Sequence, residues 1–177
     1  MVSVNIKALK ASVIKEADKH RKRLSKLSRK IHANPELGFQ EIKAAGWLTQ
    51  YLETNGFAIE MGICGLPTAF RASYGEGKPR LALLAEYDAL PGLGHACGHN
   101  LIAGCAIGAA LASKPTIDCY GGSIMVIGTP AEELYGGKVI MADRGAFDDL
   151  DAAMIVHPNT VDTATINALA CQALEVE

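Results

Sequence analysis

The stretch Arg80-Leu-Ala-Leu-Leu-Ala-Glu-Tyr-Asp-Ala-Leu-Pro-Gly-Leu-Gly-His-Ala-Cys-Gly-His-Asn100 decides how this chain is read. Its first six residues, Arg80 to Ala85, form a continuous apolar run, as expected of a strand buried on both faces. The residues after that run are polar and chemically dense. Glu86 and Asp88 come directly after it, and His95, Cys97 and His99 place a thiol and two imidazoles within five residues. Gly92, Gly94 and Gly98 give this loop backbone freedom. Thiolate and imidazole are ligand types that hold zinc and similar divalent ions.

Outward from this stretch, the pattern alternates. Ile6 to about Ala33 reads as a helix, with Leu9, Val13, Leu24, Leu27 and Ile31 near helical spacing, and Asn34-Pro35 ends it. A second helix is expected from Glu41 to Thr54, stopped by Asn55-Gly56. Phe57 to Met61 and Thr68 to Tyr74 read as short strands. Leu101 to Leu111, with Gly104 and Gly108, reads as a closely packed buried helix. Gly122 to Gly128 is a second buried strand, Gly137 to Arg144 a short helix, and Ala152 to Val156 a third buried strand. The expected class is α/β, a mixed and mostly parallel sheet with helices on both faces.

On this scheme the polar groups share one edge. Glu86 and Asp88 follow one strand, Glu132 and Glu133 the next, and His157 the third. Ligand sites in open α/β sheets lie beyond the carboxyl ends of the strands. Cys97 and His99, separated by one glycine, cannot easily grip a single ion in relaxed geometry; they can face two neighbouring ions about 3.5–4 Å apart. Adjacent carboxylates such as Glu132 and Glu133 repel unless a cation lies between them or one is partly protonated. One can bind metal while the other takes a proton from water. The arrangement reads as a metal-dependent hydrolase site assembled from several loops.

Bulk properties narrow the alternatives. With 177 residues and 49% hydrophobic content the chain can build one real core. A net charge of −2 argues against nucleic acid as partner. The basic run His20-Arg21-Lys22-Arg23 reads as the solvated face of a helix. Five cysteines, an odd number without framework spacing, and an N-terminus without an apolar signal core point to a reducing, cytoplasmic setting. Cys64, Cys105, Cys119 and Cys171 read as small buried hydrophobes. Nothing reaches the roughly 18 apolar residues of a membrane span, so no membrane partner is expected. Thiol redox chemistry at Cys97 is disfavoured because no Cys-x-x-Cys motif is present.

At these residues the chain resembles the M20 metallopeptidases, the two-metal aminoacylase and carboxypeptidase-G-like family. It is most similar to the amidohydrolase branch that holds plant indole-acetyl-amino-acid hydrolases and bacterial aminobenzoyl-glutamate hydrolase. The stretches 66–72, 86–103, Gly-Thr-Pro-Ala-Glu-Glu (128–133) and Gly-Gly-Lys (136–138) resemble the β-alanyl-lysine dipeptidase subgroup. Asn34-Pro35-Glu36-Leu37-Gly38 matches the family's N-terminal signature.

By matching position, the resemblance implies Cys97, His99, Glu133 and His157 as ligands of two divalent metal ions, zinc or manganese. It implies Glu132 as general base and Asp88 as a carboxylate behind the ligands. Where the carboxypeptidase-like branch has a histidine ligand this chain has Glu86, and His99 takes over that duty. It further implies hydrolysis of the amide bond of a dipeptide or N-acyl amino acid. Residues 1–170 are expected to be the N-terminal part of a catalytic domain, and 171–177 the start of a lid or dimerisation domain. A last histidine ligand and any homodimer would then belong to the longer protein. The competing expectation is a truncated, inactive remnant that serves at most as a metal-binding or interaction domain.

Overall fold

The computed structural model describes residues 5–164. Expectations for Cys171 and for the segment 171–177 lie outside the described residues. Helix α1 spans Ile6–His32, opened by Asn5, whose side-chain oxygen accepts the Ala8 N–H. Helix α2 (Ile42–Thr54) follows a loop in which the Glu36 carboxylate accepts the N–H groups of Lys43 and Ala44, two of the donors a helix start leaves free. Then come β1 (Ala58–Met61), a 3-10 turn at Ile63–Gly65, β2 (Phe70–Glu76) and β3 (Arg80–Ala85). Helix α3 (His99–Tyr120) leads to β4 (Gly122–Gly128), followed by α4 (Glu132–Tyr135), α5 (Gly137–Asp143) and β5 (Ala152–Met154).

The strands form one mixed sheet in the order β1-β2-β4-β3-β5. β1 with β2 and β2 with β4 pair antiparallel; β3 with β4 and β3 with β5 pair parallel. β4 lies in the middle of the sheet and is buried throughout, so its apolar run alternates between two cores. Ile124 and Val126 pack with Leu48, Leu52, Ile107 and Leu111 beneath α2 and α3. Met125 and Ile127 pack on the opposite face with Ile63, Leu66 and Met141 of α5. Each such side chain, fully buried, contributes about 1.5–3 kcal/mol. Helices therefore cover both faces.

Four expectations change. The helix expected to end at Leu111 continues through Pro115 to Tyr120. Its last turns are fastened by Ile117 against the core and by the Tyr74 hydroxyl, which donates to Asp118 at 2.7 Å. The third strand, expected to be buried over Ala152–Val156, is three residues long and exposed. Among the described residues β5 has one strand neighbour, β3, and Met154, Ile155 and Val156 are exposed. Cys105 and Cys119 are exposed rather than buried, because both lie on the side of α3 turned away from the sheet. Cys64 is only half-buried and adopts a left-handed conformation (φ 56°) inside the 3-10 turn. The close packing expected of Gly108 holds: a Cβ there would come within 2.9 Å of Leu24 on α1.

Two glycines give opposite tests of this packing. At Gly128 a Cβ would sit 2.2 Å from the buried Phe70 ring, whereas at Gly46, exposed on α2, nothing lies within 4 Å. Gly128→Ala should destabilise by about 1–3 kcal/mol, the usual cost of overpacking a core. Gly46→Ala should stabilise by about 0.5–1 kcal/mol, because it raises helix propensity. Urea denaturation midpoints of the two variants check both signs.

Candidate metal centre

Parallel pairing of β3 with β4 sets the site. Ala85 is the register partner of Gly128, so Glu86 and Thr129 leave the sheet side by side. Thr129 then ties the two exits together, its N–H donating to the Ala85 carbonyl at 2.8 Å. Side chains alternate on leaving β3. Tyr87 turns into the core, stacking on Phe70 and donating its hydroxyl to the Thr68 carbonyl at 2.7 Å, while Glu86 and Asp88 reach His99. Gly98 (φ 80°) precedes α3 in a left-handed conformation, and a Cβ there would stand 3.0 Å from Pro158. That close approach lets the loop after β5 come down beside the start of α3.

His99 is the hub. Its ring is 1% exposed, and Nδ1 lies 3.0 Å from both Oδ1 and the backbone carbonyl of Asp88. Both partners are acceptors, so Nδ1 carries the proton and Nε2 presents a lone pair when the ring is neutral. Nε2 lies 3.3 Å from Glu86 Oε2, 3.5 Å from Glu133 Oε1 and 3.8 Å from Glu132 Oε2. The ring of His157 stands edge-on at 6.0 Å between centroids. Two groups therefore have ligand atoms within 4.8 Å of one another: Glu86, His99 and His157, and His99, Glu132 and Glu133.

Electrostatics follow from this crowding. Burial alone would lower the His99 pKa, but Asp88, Glu86 and Glu133 outweigh it and raise it. Asp88 is pushed up by burial, yet its bonds to His99 and to the Glu133 N–H (3.0 Å) hold it below the usual carboxylate value. Burial raises Glu132, with Lys138 opposing and Glu86 and Glu133 adding to the rise. The Cys97 thiol is hydrogen-bonded to Glu133 and is pushed up to about 11, chiefly by that bond.

The donor set suits divalent cations. Glu86 Oε2 and His99 Nε2 are buried and neither makes a hydrogen bond, although they face each other. A buried lone pair aimed at carboxylates is costly unless a cation lies between them. Imidazole, thiol and carboxylates on one edge are donors that divalent metal ions take.

Of the residues singled out in the sequence, His99, Glu132, Glu133 and His157 come together in these two groups, with Asp88 behind His99. Cys97 joins through Glu133 but stands outside both groups. His95 is buried beside His32, with ring centroids 6.3 Å apart, and does not enter the cluster. Two residues carry more than the sequence indicated. Glu86 is buried at the centre, and Lys138 pairs with its Oε1 at 2.5 Å. The Gly-Gly-Lys motif was the available signal for Lys138. A groove of about 910 Å³ between α1 and α3 has a mostly apolar surface and is lined by none of the clustered acids.

No family model matches the chain. Mouse Xaa-Arg dipeptidase is 39% identical over 176 residues, covering 92% of this chain and 41% of the relative. One of the subunits of Escherichia coli p-aminobenzoyl-glutamate hydrolase is 41% identical over 162 residues, covering 81% of this chain and 33% of the relative. A dinuclear metal-binding peptidase of the M20 family from Bacillus subtilis superposes with a TM-score of 0.69 at 28% identity, over 77% of this chain and 42% of that one. An aminohydrolase structure from methicillin-resistant Staphylococcus aureus gives a TM-score of 0.71 at 28% identity, over 81% and 41%. The chain thus spans one-third to about two-fifths of the length of these relatives. These likenesses show that the chain belongs to the M20 metallopeptidases, a family of metal-dependent hydrolases.

Proposed function

We propose that this chain carries the metal-holding part of a two-metal amidohydrolase or dipeptidase that cleaves the amide bond of a dipeptide or N-acyl amino acid. One observation carries the reading: His99 Nε2 sits 3.3–3.8 Å from three carboxylates of two strand ends, while Asp88 fixes the other face of the ring. Cys97, His99, Glu133 and His157 are the ligands. Their carboxylate, imidazole and thiol atoms suit zinc or manganese. When bound, such ions supply Lewis acidity that acidifies water and polarises a carbonyl.

The chain's own residues supply the rest. Asp88 holds the His99 tautomer and, through the Glu133 N–H, the backbone beside Glu132. Glu132 is 40% exposed, so its carboxylate reaches the open side of the cluster. Its raised pKa favours accepting the proton of the attacking water and handing it to the leaving amine. Lys138 neutralises Glu86 and limits the repulsion around the bound cations. The relatives' names, an Xaa-Arg dipeptidase and an aminobenzoyl-glutamate hydrolase, support a small amide substrate.

Three measurements test this. The chain loaded with manganese or zinc should hydrolyse a dipeptide such as β-alanyl-lysine or an N-acyl amino acid. Metal uptake without turnover would favour a metal-binding domain instead. Glu132→Gln should retain metal and lower turnover by about 10²–10⁴-fold, the scale of a lost general base; full activity in this variant would sink the assignment.

The third concerns protons. A Cys97 thiol near 11 is protonated at pH 7 and must lose its proton to become a ligand. Metal affinity should therefore rise with pH between about 6 and 8, with proton release visible by calorimetry in buffers of different ionisation enthalpy. Cys97→Ala should release about one proton fewer and bind metal more weakly. An unchanged proton count and metal content would exclude Cys97 as a ligand.

A further inference from the structure

Glu41 is a buried carboxylate outside the metal cluster, and its bonds lead straight to it. Its side chain is fully buried at the entry to α2. Oε1 accepts the Ala131 N–H at 2.8 Å, and Oε2 accepts the Thr68 hydroxyl at 2.9 Å. Ala131 is the residue before Glu132, and its backbone is left-handed (φ 55°, ψ 47°), a conformation that a residue with a Cβ adopts at a cost. The strap from Thr129 to Glu133 has little slack. The Gly137 N–H donates to the Ala131 carbonyl at 3.1 Å, and a Cβ at Gly137 would meet the Pro130 carbonyl at 1.9 Å.

The same network reaches the other site loop. Thr68, which donates to Glu41, accepts the Tyr87 hydroxyl on its carbonyl, and Tyr87 lies between Glu86 and Asp88. Glu36, five residues before Glu41, accepts the Ala89 N–H on its own carbonyl at 2.9 Å. The loop between α1 and α2 thus grips both strand exits that deliver the acids. A buried carboxylate is expensive, and an apolar side chain would fill this space at lower cost. Burial does raise the Glu41 pKa, against the opposing pull of the Ala131 and Thr68 bonds.

We propose that Glu41 is a positioning residue: by holding Ala131 left-handed it aims Glu132 and Glu133 at His99 and so sets the affinity of the metal centre. The affinity part rests on the reading of Glu133 as a ligand. The test measures two things in the chain and its variants: hydrogen exchange of the Ala131 amide by NMR, and zinc affinity by competition titration. Glu41→Leu replaces the carboxylate with an apolar group of similar size. It should unprotect the Ala131 amide, leave the β4 amides of Val126 and Ile127 protected, and weaken zinc binding about 10–100-fold, as loss of a group that orients ligands does. Glu41→Gln, which keeps an acceptor for Ala131, should restore both readouts.

An Ala131 amide that stays protected in Glu41→Leu overturns the proposal. So does unaltered zinc affinity alongside a released Ala131. Should Glu41→Leu fail to fold, Thr68→Val removes only the hydroxyl that fixes Oε2; it should show both effects in weaker form, and no change in either overturns the proposal. Zinc binding that ignores Glu133→Gln overturns the ligand reading and the affinity part with it. The Ala131 amide then decides by itself whether Glu41 holds the strap.

Discussion

The imidazole of His99, clamped on one side by Asp88 and facing three carboxylates on the other, is the constraint around which this structure is arranged. Asp88 decides which nitrogen carries the proton, and that decision turns Nε2 toward Glu86, Glu132 and Glu133. The ring is buried at the first residue of α3, so it cannot swing away without unpacking the helix start from the sheet edge. The acids are anchored at two strand exits, Glu86 after β3 and Glu132 and Glu133 after β4. The geometry around Nε2 is therefore a property of the sheet, not of any single loop.

Parallel pairing explains why such a cluster is affordable here. Two parallel strands end at the same edge, so the residues leaving each strand are delivered to one place without a long excursion. β3 and β4 do this directly, with Ala85 beside Gly128 and Thr129 bridging back to Ala85. β5 adds His157 from the other flank of β3. The antiparallel strands β1 and β2 contribute no member of the cluster; their role is to bury β4, and through Thr68, just before β2, to fasten Glu41.

The sequence made much of this legible because the informative signals were local. β4 falls where its apolar run predicts and is buried throughout; β3 also falls on its run, but only Ala82 and Ala85 are fully buried there, and its other residues, expected to be buried on both faces, are half-buried. Glu86, Asp88, Glu132, Glu133 and His157 were visible as polar residues following those runs. Less legible were features that depend on what packs against them. β5 has the composition of a buried strand, yet its residues are exposed. Cys105 and Cys119 lie on a helix apolar enough to hide which side faces water. Glu41 reads in the sequence as the first residue of a helix; its partner Ala131 is 90 positions away, and no periodicity or spacing links them. Lys138 and Glu86 meet for the same reason, across the fold rather than along the chain.

Charge balance gives the cluster its chemical direction. Glu86, Asp88, Glu132 and Glu133 are four carboxylates converging near one imidazole, with Lys138 paired to Glu86 among them. A single ammonium cannot offset that much negative charge at separations of 3–4 Å in a partly buried setting. Without a cation, the imbalance is carried by the proton: His99 is driven toward its charged form, Glu132 toward its neutral form, and the Cys97 thiol is kept protonated. Divalent ions reverse all three tendencies at once, because they take the place of the proton at nitrogen and sulfur and leave the carboxylates ionised. Proton uptake and metal uptake thus compete for the same negative charge, and the geometry that makes the metal-free cluster costly is the geometry that makes it a cation site.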